Sequence, residues 1–193
     1  MSLRAYTKLD NNKGAMTPGM MEETVDGMSM EKMARIIEAI RYERWPWKPV
    51  RRRAIPKRKG GTRPLGMPTW SEKVVQEVIR SILEAYYEPP CSQHSHGFRP
   101  QRGCQTALTE IHDVWVGTQW FIEGDITGCF DTIDHTILMH ILRANIRDNR
   151  FLRWIAGALK AGYCAAWTSH PSLSGSPQGA IGSPILSNIS MDR

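Results

Sequence analysis

Between residues 41 and 63 the chain places ten Lys or Arg side chains and a single acid, Glu43. The rest of the chain holds 15 basic and 18 acidic residues, so the net charge of +6 comes from this one block. Charge this dense repels itself and seeks phosphate or anionic lipid. A solvated charged face is the simpler alternative. Trp45, Trp47, Ile55 and Leu65 are threaded through the block and count against it. Basic residues mixed with aromatic and apolar ones describe a folded nucleic-acid groove better than a tail.

Composition removes several other classes. A chain of 193 residues with 41% apolar and 23% charged residues can bury a real core, which argues against disorder. No apolar run approaches the roughly 18 residues of a membrane helix. The start, Met1-Ser2-Leu3-Arg4, lacks the apolar stretch of a secretory signal. Cys91, Cys104, Cys129 and Cys164 are too widely spaced for a disulfide framework and fit a reducing compartment. The same cysteines with His94 and His96 lack the paired spacing of a zinc site.

Residues 1–28 read as an extension or loop. An amphipathic helix starts at Ser29, with Met33, Ile36, Ile37 and Ile40 on one face, and ends before Trp45-Pro46. Two strands follow, at 50–56 and 62–67, joined through Lys59-Gly60-Gly61. Thr69 and Glu72 have capping-box spacing for a helix over 72–87, whose stripe is Val74, Val75, Val78, Ile82 and Tyr86. Further helices are expected near 106–115, 134–144 and 148–162, a strand at 119–126 and a loop over 165–182. Pro184 suits the first turn of a last helix over 183–192. The fold class is α+β, in two lobes with a boundary near 89–104.

Two segments could carry chemistry. In Gly124-Asp125-Ile126-Thr127-Gly128-Cys129-Phe130-Asp131-Thr132-Ile133-Asp134-His135 an Asp ends a strand, where a rigid sheet could position it on a divalent cation. Asp134 stands where a helix cap should, Asp131 could orient the turn, and His135 reads as a packing or helix-end residue. In Gly175-Ser176-Pro177-Gln178-Gly179 the glycines allow close approach of a ligand or merely form a connector.

With these segments in view, the chain resembles the N-terminal part of group II intron-encoded proteins, which are reverse transcriptases with maturase activity. The matching motifs run in family order over about residues 15–190. They are Thr17-Pro18-Gly19, Val25-Asp26-Gly27, Ile55-Pro56-Lys57, Arg63-Pro64-Leu65-Gly66-Met67-Pro68, Ser95-His96-Gly97-Phe98-Arg99-Pro100, Gly124-Asp125-Ile126, Phe130-Asp131-Thr132-Ile133-Asp134-His135, Leu159-Lys160-Ala161-Gly162 and Ser176-Pro177-Gln178-Gly179. The resemblance implies a fingers lobe and an incomplete polymerase palm built on an antiparallel sheet with packed helices. Its divisions are an extension (1–28), fingers (29–103) and partial palm (104–193).

The roles that follow are also what the resemblance implies. Asp125 is the catalytic, metal-binding carboxylate, and Ile126 ligates through its carbonyl. Two Mg2+ ions serve the complete enzyme. Lys57 and Arg63 grip the incoming deoxynucleoside triphosphate, Phe130 excludes a 2′-hydroxyl, and Gln178 packs beside the nucleotide. Arg51, Arg52, Arg53, Arg58, Lys59 and Arg99 face nucleic acid. The partners are intron RNA and an RNA template with a DNA primer, in a bacterial cytoplasm and away from membranes.

The chain departs from the family pattern in three places. Residues 20–24 lengthen the first loop, Gly179-Ala180 replaces Gly-Gly, and no Asp-Asp pair of a Tyr-x-Asp-Asp hairpin is present. The chain is therefore expected to be inactive by itself and to self-associate through the open palm. A non-catalytic RNA-binding fragment, or a reverse transcriptase of CRISPR-associated or retron-like type, are the alternatives.

Overall fold

The computed structural model describes residues 2–10, 14–57, 60–165, 168–172, 174–177 and 179–192. Its elements in chain order are α1 (Ser2–Asp10), a 3-10 turn (Val25–Gly27), α2 (Met30–Arg41), β1 (Val50–Pro56), β2 (Thr62–Met67), α3 (Trp70–Tyr87), α4 (Cys104–Val114), α5 (His135–Asn145), α6 (Asn149–Lys160), β3 (Tyr163–Ala165), β4 (Thr168–His170) and α7 (Ser183–Met191). The α+β class holds.

The helix starts are set by local chemistry. Ser29 accepts a hydrogen bond from the Lys32 amide at 3.1 Å, and Asp148 accepts from Arg150 and Phe151. At α3 the Thr69–Glu72 capping box forms, and the Glu72 carboxylate also accepts from the Lys48 amide at 2.6 Å. Burial pushes Glu72 above the usual carboxylate range although three groups donate to it.

Helix α3 lies between two cores. Val75, Ile79 and Leu83 enter a larger cluster with Ile36 of α2, Leu138 and Leu142 of α5, Ile155 and Leu159 of α6, and Ile185 and Leu186 of α7. Trp70 and Val74 enter a smaller one with Ala5 and Leu9 of α1, Val25 and Met33. A helix buried on two faces has no single stripe, so the expected one was displaced; Tyr86 is half exposed. Residues 2–10 are helical rather than loop, because Ala5 and Leu9, one turn apart, are buried against that second face.

The sheet has the order β2-β1-β3-β4. β1 and β2 pair antiparallel from Arg51↔Met67 to Pro56↔Thr62, as the hairpin signal indicated. β1 pairs parallel with β3, and β3 antiparallel with β4. The expected antiparallel sheet is therefore mixed, and two strands occupy part of the expected 165–182 loop and its approach. Gly162, at φ +71°, turns the chain from α6 into β3, and its carbonyl accepts from Val50.

The expected strand at 119–126 is absent. Those residues form no regular element and have no ladder partner among the described residues, and Trp120, Phe121 and Ile122 are 74–100% exposed. Helix α4, just before them, buries no side chain.

Candidate nucleotide and nucleic-acid site

The turn after Asp125 is built around Gly128, whose φ of +64° favours glycine. Its carbonyl accepts from the amides of Asp131 at 2.7 Å and Thr132 at 3.1 Å. Asp134 then caps α5, accepting from the Ile137 and Thr136 amides, which hold its carboxyl below the usual range. Its sequence position as a cap is its structural role.

A second segment is laced onto this turn. The Ser176 amide donates to the Phe130 carbonyl and the Gly175 amide to the Ile133 carbonyl, both at 2.7 Å. Asp134 and Ser174 form an antiparallel bridge. His135 Nε2 lies 2.7 Å from the Gly175 carbonyl, to which it donates. At Gly175, φ is +81° and a Cβ would come within 2.7–2.9 Å of the Asp131 backbone, so no side chain fits. On its other side the loop is tied to the start of α7, where the Ser176 and Ser183 hydroxyls lie 2.6 Å apart. A Cβ at Gly179 would sit 2.6 Å from Leu65 of β2. Three distant stretches thus meet: the hairpin strand β2, the Phe130 turn and the 174–179 loop. The Phe130 ring itself packs edge-on against Phe98, with centroids 6.2 Å apart.

The expected site residues are distributed as follows. Lys57 and Arg63 flank the hairpin tip and are exposed. In β1 alternate side chains face opposite ways. Arg51 and Arg53 are exposed on one face, while the half-buried Arg52 guanidinium lies over the Tyr163 ring on the other, 4.2 Å from its centroid. Arg58, Lys59 and Gln178 lie outside the described residues. Asp125 is exposed, and Ile126 is 60% exposed on the unpaired run.

Arg99 departs from its expected role. Only 9% exposed, it gives its Nε and Nη donors to the Glu88 carboxylate, the Glu88 carbonyl and the carbonyls of Ser92 and Ser95. It staples the 88–99 loop to the end of α3, and its guanidinium is spent on protein acceptors rather than phosphates.

Sequence reasoning missed Tyr163, His170 and the His135–Gly175 contact. Each acquires meaning only through pairing with a segment far away in the chain.

The fold is α+β, and Pro64 and Gly66 of the basic hairpin line one cavity with Asp131 of the turn. The chain belongs to the family described as reverse transcriptase (RNA-dependent DNA polymerase), whose model matches residues 55–193. Among individual proteins it is 47% identical over 186 residues to the group II intron-encoded protein LtrA of Lactococcus lactis subsp. cremoris, covering 96% of this chain and 31% of that one. It is 46% identical over 189 residues to a protein in the cob intron of Schizosaccharomyces pombe, covering 98% and 23%. An intron 1 protein of Saccharomyces cerevisiae is 41% identical over 192 residues, covering 99% and 23%. The chain thus spans less than a third of these relatives. The family implies a dependence on divalent metal and the binding of RNA.

Proposed function

We propose that this chain forms the fingers (29–103) and part of the palm (104–193), behind an extension at 1–28, of a group II intron-encoded reverse transcriptase. That enzyme copies an RNA template from a DNA primer with deoxynucleoside triphosphates and binds its intron RNA for splicing and mobility. The bacterial relative supports a bacterial cytoplasm as its place. The convergence of β2, the Phe130 turn and the 174–179 loop is the observation that carries the reading. The contacts of Gly179 with Leu65 and of Ser176 with the Phe130 carbonyl support it.

Within that site Lys57 and Arg63 attract and orient the triphosphate by charge and hydrogen bonds. Phe130, whose carbonyl is held by the Ser176 amide and whose ring packs against Phe98, would stand against a ribose 2′-hydroxyl. The Asp125 carboxylate and Ile126 carbonyl are hard oxygen donors of the kind Mg2+ takes. Bound cations would neutralise charge on the phosphates undergoing transfer. Among the described residues no group of three His, Cys, Asp or Glu side chains could hold a metal. A two-ion site uses carboxylates from more than one segment, so Asp125 is expected to need a second acidic segment to hold a pair of ions.

The test joins this chain in frame to the remainder of the Lactococcus lactis relative and assays primer extension on RNA with Mg2+. The chimera extends; Asp125→Ala abolishes extension, and Phe130→Ala admits ribonucleotides. Full activity of the Asp125→Ala chimera overturns the assignment of the site, and extension by the 193 residues alone overturns the reading of a partial palm.

A further inference from the structure

On the sheet face opposite Arg51 and Arg53, three planar side chains from three strands line up. Tyr163 of β3 is the register partner of His170 of β4, and their rings stack with centroids 5.1 Å apart and planes 26° from parallel. Val50 of β1 is Tyr163's parallel partner, so Arg52, two residues on, shares that face. Its guanidinium covers the tyrosine from the β1 side. The strand order puts Tyr163 between the other two. His170 ends the stack on an edge strand whose residues are all exposed, and β4 carries no acidic side chain.

A cross-strand ring pair such as Tyr163–His170 stabilises the hairpin modestly, and that does not use the outer face of the exposed His170 ring. What it offers is a flat π surface backed by a cation. The inner end of the stack opens on a cavity of about 210 Å³, lined by Arg52, Pro64, Tyr163, Ser172, Ser174 and Ser176, among others. Flat aromatic and guanidinium surfaces beside a basic strand are what unpaired bases stack on, and a duplex cannot offer a base face to them.

We propose that the Arg52–Tyr163–His170 stack seats one unpaired nucleobase of RNA on the outer face of His170. Asp131 of the Phe130 turn shares the cavity with Arg52 and Tyr163, whereas His170, at the other end of the stack, does not line it. The inference rests on the reading that this chain binds RNA.

The test uses the chain itself, with a labelled unstructured single-stranded RNA and a blunt RNA duplex of equal length, titrated over a salt series. His170→Ala weakens single-strand binding about fivefold at every salt concentration, with the log–log salt slope unchanged. His170→Trp restores the affinity. Tyr163→Leu gives a similar loss, with the unfolding temperature followed in parallel. Duplex binding is untouched in all three variants. Unchanged single-strand affinity in both His170→Ala and Tyr163→Leu overturns the proposal, as does an equal loss on both RNAs. If the wild-type chain binds neither RNA, the RNA-binding reading itself fails along with the inference.

Discussion

Helices α3 and α4 look alike as sequences, and the molecule treats them in opposite ways. Both carry apolar residues at helical spacing. Trp70, Val74, Val75 and Leu83 of α3 are at most 1% exposed, whereas Leu108 and Val114 of α4 are 65% and 67% exposed. The irregular run after α4 continues the contrast, with Ile122 fully exposed. An apolar stripe states a demand for burial; whether the demand is met depends on what packs against it. Here α3 has partners on two sides, and the arm at 104–126 has its polar ties. Glu110 pairs with His94 and His96, and the His96 imidazole also meets the Thr106 hydroxyl. The arm carries Asp125, so the catalytic carboxylate of the proposed site stands on a stretch, 104–126, in which no side chain is buried.

The largest test of this contrast is a pair of leucines. Leu142→Ala empties a site that is 0% exposed in the larger core and should cost about 2–5 kcal/mol of unfolding free energy. Leu108→Ala should stay within about 0.5 kcal/mol. Chemical denaturation of the two variants measures both. Equal losses would mean that α4 is packed in solution.

Glycines provide the next test. In α6 a Cβ on Gly157 would lie 2.5 Å from the Trp47 ring, and that ring packs against the core. Gly157→Ala should therefore destabilise by about 1–3 kcal/mol, despite alanine's better helix propensity. At Gly124, in the arm, a Cβ meets nothing within 4 Å. Gly124→Ala should leave the unfolding midpoint where it is. A midpoint preserved in both would show that Trp47 yields freely.

Smaller still is the loss of a cap. Thr69→Ala removes the acceptor of the Glu72 amide and one donor to its buried carboxylate, costing about 1 kcal/mol. Thermal unfolding should show it as a shift of a few degrees.

The smallest effect concerns pH. Glu23 is pushed up by burial, but hydrogen bonds from Lys32 and from the Ser71 amide and hydroxyl outweigh this and leave its pKa below the usual value. A lowered folded pKa means that its stabilisation is full above the ordinary glutamate range. It is lost as the pH falls through the folded value. Acid should thus speed hydrogen exchange, corrected for its intrinsic pH dependence, at 20–28 before it does so in α3. The arm at 119–126 should exchange fast at every pH. Simultaneous acid release of 20–28 and α3 would contradict a local anchor.

Much of this protein is written locally. Ser29, Thr69, Asp134 and Asp148 announce helix starts because a capping side chain reaches an amide only two or three residues away. The β1–β2 hairpin is legible because Gly60 and Gly61 supply the left-handed turn it needs. The basic block likewise states its concentration of positive charge without any structure. Other features are decided by tertiary pairing. Nothing in Val50 names Tyr163 as its parallel neighbour, nor in Ser176 names the Phe130 carbonyl. Arg99 has the look of a phosphate ligand until Glu88 and two loop carbonyls enclose it. The run at 119–126 has strand chemistry and makes no ladder. Backbone donors and acceptors are the same in every residue, so partner choice across a hundred positions comes from the packing of whole elements, and only the folded chain displays it.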